Sequence, residues 1–123
     1  MEFFEYIKNS NLSSDYLQKN ITIEHLSKHC TSVDTVLEHN GERGLIYCVW
    51  GEFNVTRECI SGGVRFSLLN CINNIIWSIT TGHEPDSQQT VIYLSMNREH
   101  QEIDFVETME TFVADLKQGL SQL

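Results

Sequence analysis

The sequence predicts an α+β fold with short N-terminal helices, a five- or six-stranded antiparallel β-meander and a C-terminal amphipathic helix packed on the sheet. Three observations predict it. Between Leu45 and Met96, apolar runs alternate with short turn signals. Those runs are rich in β-branched and aromatic residues and too short for typical helices. From Ile103 to Leu120, apolar residues recur at spacings of three and four instead, which is the helical period.

Taken in order, Phe3, Phe4 and Ile7 stand at helical spacing, so Glu2 to Lys8 reads as a short helix ended by Asn9-Ser10-Asn11. Ser13-Ser14-Asp15 offers N-cap residues for a second helix through Lys19, with Tyr16 and Leu17 apolar. Thr22 is a candidate N-cap for a third, from Ile23 to about Cys30, with Ile23, Leu26 and Cys30 facing inward. Pieces this short depend on packing against the sheet. Val33 to His39 reads as an edge strand, although Val33, Val36 and Leu37 also fit a helix. Asn40-Gly41 is a hairpin signal after it.

Leu45 to Trp50 is an unbroken apolar run, which suits a strand covered on both faces. Gly51-Glu52 fits a type II′ hairpin turn, with a bulge in one long bent strand as the alternative. Phe53, Val55 and Cys59 then alternate with Asn54, Thr56 and Glu58, and Arg57 falls in the apolar register. Gly62-Gly63 marks the next turn. Val64, Phe66 and Leu68 form one dry face, Ile75, Trp77 and Ile79 another, and Ile92, Leu94 and Met96 a third. Gly82 to Gln88 is a polar loop holding Pro85. In the C-terminal helix, Ile103, Val106, Met109, Val113, Leu116 and Leu120 make the apolar stripe, widened by Phe105 and Phe112. Glu102 and Asp104 suit the positive end of its dipole, and Gly119 is expected to fray its end.

A chain of 123 residues fits one domain, 1–123. It buries about two-thirds of its unfolded surface and needs neither metal nor disulfide to fold. The four cysteines (Cys30, Cys48, Cys59, Cys71) include no CxxC pair, and Met1 to Glu5 lacks a basic leader region. Reduced thiols and a cytoplasmic location are therefore expected. Net charge is −9, and residues 84–123 carry eight acids against two bases. An acidic surface argues against nucleic acid and anionic membranes, which need a basic footprint. The stretch 44–83 is neutral, with Glu52 and Glu58 against Arg57 and Arg65.

No catalytic or cofactor motif stands out, and no cofactor is expected. His25 and His29 share a helical spacing that can place two imidazoles on one metal. No third ligand is set by spacing; His39, His83 and His100 are the other histidines. The alternative reading of the pair is a solvent-exposed polar helix face, since the HExxH context is absent. Arg57 could orient a ligand anion in a pocket lined by Trp50, Trp77, Tyr47 and Tyr93. Against that stand a structural ion pair for Arg57 and a plain core role for the aromatics. Cys59 is expected on the apolar side, which leaves Cys71 as the more exposed thiol. Gly62-Gly63 lacks the lysine and helix start of a phosphate loop.

The layout is loosely similar to the small acidic secretion chaperones of type III systems. The resemblance rests on size, acidity and the ending from Thr90 to Leu120, a strand followed by an amphipathic helix. It implies a dimeric, non-catalytic binding protein. The sequence shows no helix between Val64–Leu69 and Ile75–Thr81, where those chaperones place their dimer helix.

The function expected from these observations is a small acidic, non-catalytic protein-interaction or adaptor module, with another protein or a second copy of itself as partner. The alternatives are an apolar-ligand-binding protein with a pocket between sheet and C-terminal helix, and a metal- or thiol-dependent enzyme.

Overall fold

The computed structural model describes residues 1–8, 10–82, 87–97 and 103–123. Among the described residues seven strands form one sheet: β1 (Glu2–Ile7), β2 (Val33–His39), β3 (Arg43–Cys48), β4 (Gly51–Ile60), β5 (Gly63–Leu68), β6 (Ile76–Thr81) and β7 (Thr90–Ser95). Their order is β1-β7-β6-β5-β4-β3-β2, and every neighbouring pair is antiparallel. The α+β class with an antiparallel sheet and a C-terminal helix is therefore as expected, with seven strands in place of five or six. β2 to β7 form the meander, since their short links permit antiparallel return and no crossover.

The added strand is β1, where the spacing had suggested a helix. Phe3 and Ile7 are four apart, a separation that serves a helical face and a strand face alike. Pairing with β7 decides between them: all six residues from Glu2 to Ile7 are in register with Ser95 to Thr90. Two short N-terminal helical pieces remain. α1 (Ser14–Asn20) starts at Ser13, whose hydroxyl accepts from the Tyr16 amide at 3.1 Å. A 3₁₀ turn (Ile23–His25) leads into α2 (Leu26–His29).

The link from β1 to β2 carries the chain across one face of the sheet, from one edge to the other. On the way α1 packs over β5 and β6, and the 3₁₀ turn and α2 pack over β2. α3 (Ile103–Ser121) then lies on β1 and β7 and meets α2. The covered face holds the core. Trp77 is fully buried, stacked on Phe66 at 5.2 Å and edge-on to Phe112 of α3 at 5.0 Å. Val55, Val64, Ile79, Ile92 and Leu94 complete the layer beneath the helices.

Several local expectations change. The β3–β4 turn is Val49-Trp50, because Cys48 pairs with Gly51 and Tyr47 with Glu52. Gly51 instead opens β4 with a φ of 144°, where a Cβ would meet the Phe53 ring at 3.2 Å. β3 is also covered on one face alone: Ile46 and Cys48 are buried while Tyr47 is exposed. Cys59 is exposed, its sulfur accepting from a terminal nitrogen of Arg57 at 3.8 Å. Ile103 is 74% exposed and does not join the buried stripe, which begins at Met109. Gly119 is no frayed end. It sits inside α3, against α2, where an added Cβ would fall 1.9 Å from the His29 carbonyl oxygen.

Residues 69–75 join β5 to β6 through turns, so no helix stands at the point where the secretion chaperones place theirs. Asn9, Glu102, His83, His100 and the Pro85 part of the Gly82–Gln88 loop lie outside the described residues. Among the described residues, no helix is long and apolar enough to cross a membrane.

Candidate interaction surface

The alternation of strand side chains divides this sheet into two unlike faces. On the helix side, Arg57 is the one cation in the β4 register of Phe53 and Val55. Its Nε donates to the Ile21 carbonyl at 2.8 Å, and one terminal nitrogen donates to the Gln18 carbonyl. Those carbonyls belong to the last turn of α1 and the residue after it. The guanidinium thus caps a helix C-terminus, where unpaired carbonyls and the negative dipole end favour a cation.

The four aromatics grouped with Arg57 in the sequence do not share a cavity. Trp77 is core, and Trp50 is half-buried at the β3–β4 turn against Phe53 and Phe112. Tyr47 and Tyr93 lie on the opposite face of the sheet. Both indole N–H groups, of Trp50 and Trp77, are buried with no acceptor among the described residues. Phe112 stands edge-on to both rings.

His25 and His29 do come near each other. His25 faces Thr22, with Nδ1 3.3 Å from the hydroxyl oxygen. His29 has its pKa lowered, first by burial, then by His25, with Lys28 adding to this and a backbone hydrogen bond at Asn20 opposing it. Among the described residues no three His, Cys, Asp or Glu side chains are grouped to hold a metal ion. Burial pushes the Cys30 and Cys48 thiols up to about 12, which keeps both protonated and unreactive.

A groove of about 500 Å³ runs between the first half of α3 and the Val49 turn, lined in part by Asp104, Glu107 and Asp115. Asp115 is already engaged, accepting from the buried Ser32 hydroxyl at 2.6 Å. That bond ties α3 to the start of β2. None of the candidate ligand or metal residues read from the sequence lines this groove.

The other face of the sheet carries no helix among the described residues. Two of its cross-strand rows run Glu2, Ser95, Ile76, Ser67, Thr56, Arg43 and Phe4, Tyr93, Ser78, Arg65, Glu58, and Tyr47 beside Glu52 adds to the face toward β2. No side chain in either row is buried. The centre is Ser and Thr, and Glu58 is paired with Arg65 at 2.6 Å. At the β1 side stands an aromatic patch. Phe4 packs on Tyr93 at 4.9 Å and lies parallel to Tyr6 at 6.3 Å, and Phe4 and Tyr6 are 48% and 44% exposed. The Tyr93 hydroxyl donates to Glu2 at 2.6 Å, and this bond is the first cause of its raised pKa. Phe4 and Tyr6 were missed as surface aromatics because β1 was read as a helix. The alternation Glu2, Phe4, Tyr6 is the signal that could have found them.

No protein-family model matches the chain, and a search of curated proteins finds no significant match.

Proposed function

We propose that the chain is a non-catalytic protein-interaction module that docks its partner on the uncovered face of the sheet. The observation that carries this reading is the contrast between that face and the rest of the molecule. In a chain of net charge −9, the two rows across the open face balance Glu2 and Glu58 against Arg43 and Arg65. Exposed aromatics beside rows whose charges cancel resemble a protein interface, where aromatic residues are enriched. The exposed α3 acids Glu107 and Glu110 favour solubility and disfavour anionic partners.

The test uses two arginine substitutions of similar bulk, Ser78→Arg at the centre of the open face and Gln118→Arg on the exposed side of α3. A partner recovered with the parent protein should be lost with Ser78→Arg and retained with Gln118→Arg. The reverse pattern, or a small molecule retained in a native mass spectrum, contradicts the reading.

A further inference from the structure

The two edges of the sheet are built differently. β2 is irregular, with register shifts between Val33 and Thr35 and between Val36 and Glu38, and it carries exposed Asp34 and Glu38. Bulges and charges of this kind blunt an edge against pairing. β1 has none of the irregularity: its six residues pair with β7 without a shift. A straight edge strand with exposed aromatics is a template for another strand.

The hydrogen-bond phase of β1 fixes which groups are free. The Met1 nitrogen donates to the Met96 carbonyl at 3.0 Å, and the Met96 amide donates back at 2.9 Å. A mutual pair at Met1 makes Phe3, Glu5 and Ile7 the bonded positions toward β7 in an antiparallel ladder. The N–H and C=O groups of Glu2, Phe4 and Tyr6 therefore face the open edge.

We propose that a second copy of this chain pairs with that edge, β1 against β1, antiparallel about a two-fold axis at Glu5. The inference rests on the reading of the open face as the docking surface and extends it to self-association. The strand is complementary to itself in this register. Glu2 faces Lys8 of the second copy, Phe4 faces its Tyr6, and Phe3 faces its Ile7. Phe4 and Tyr6 become the mutually bonded positions, which supplies about four backbone hydrogen bonds, and their rings pair across the new junction. A slip of two residues either way keeps the bonding phase but sets Phe4 or Tyr6 against itself and breaks the Glu2–Lys8 match.

The like-charged pair at the axis, Glu5 against Glu5, has a built-in counter-ion. Lys117 of α3 lies 3.3 Å from the Glu5 carboxylate, so each copy brings its own cation. The product doubles the seven-stranded sheet and makes one continuous open face with the aromatics at its middle.

Sedimentation velocity from about 1 to 100 μM tests this. The parent protein should sediment as a dimer in the upper part of that range. Tyr6→Pro should make it a monomer with an unchanged circular dichroism spectrum, because proline removes an amide that faces the free edge and leaves the β7 ladder intact. Glu2→Lys and Lys8→Glu should each weaken the dimer about tenfold, through two symmetry-related pairs, and the double exchange should restore it. If Tyr6→Pro unfolds the chain, that restoration decides alone. A parent protein monomeric throughout, a dimer indifferent to Tyr6→Pro, or a double exchange without recovery overturns the pairing. A monomer whose partner is still lost with Ser78→Arg sinks the dimer and spares the docking face; retention of that partner sinks the docking face too.

Discussion

Arg57 and Ile21 are joined across 36 residues of chain by a 2.8 Å hydrogen bond from the guanidinium to a carbonyl. The bond fastens the end of α1 to the covered face of the sheet, and it accounts for a cation in an apolar register. Arg57→Met should therefore lower unfolding stability by about 1–3 kcal/mol, the scale of hydrogen bonds to a charged donor. Arg57→Lys should recover only part, because a single ammonium cannot reproduce the fork that reaches both Gln18 and Ile21. Urea titration followed by tryptophan fluorescence measures both.

Gly119→Ala sets two physical effects against each other. Helix propensity alone favours alanine by about 1 kcal/mol. The new methyl, however, would stand 1.9 Å from the His29 carbonyl oxygen, and overpacking costs about 1–3 kcal/mol. The urea midpoint should fall. A rise would show that α2 and α3 do not meet as closely as described.

The thiols should divide into two classes. Cys59 is exposed and Cys71 partly so, while Cys30 and Cys48 are buried with pKa values pushed up to about 12. At pH 8, two thiols should react with an aromatic disulfide in the folded protein and four in denaturant. Because these two folded-state values lie above the ordinary thiol range, their stabilising contribution is full below about pH 8.5. It is lost as the pH rises toward 12.

His29 gives a slope of the opposite sense. Its folded-state pKa is lowered by burial and by His25, so below the ordinary histidine value of about 6.5 the unfolded chain takes up the proton first. Stability should fall as the pH drops from neutrality through that window, until the folded form protonates as well. His29→Gln should make the urea midpoint less sensitive between pH 7.5 and 5.5. An unchanged slope would assign the acid sensitivity elsewhere.

Where the apolar period was unambiguous, the sequence was enough to place residues. Ile75, Trp77 and Ile79, and likewise Ile92, Leu94 and Met96, are buried as alternation requires. β1 was hidden because Phe3 and Ile7 fit both periods, and its partner β7 lies some ninety residues away, beyond the reach of local pattern. With β1 misread, Phe4 and Tyr6 could not be seen as surface aromatics. Arg57 was conspicuous by its register, but the carbonyls that hold it belong to a helix whose position depends on the whole fold. Gly119 likewise shows its purpose through contact with α2, a tertiary fact. The Val49-Trp50 turn contains neither Gly nor Pro, so Gly51 beside it drew the expected turn two residues along.

The most direct measurement of the central claim is site-specific photo-crosslinking in cells, with the probe placed at Ser78 in one variant and at Gln118 in another. The account predicts a discrete protein adduct from Ser78, at the centre of the open face, and none from Gln118. Adducts from Gln118 alone would contradict it and move the docking surface to the helix side.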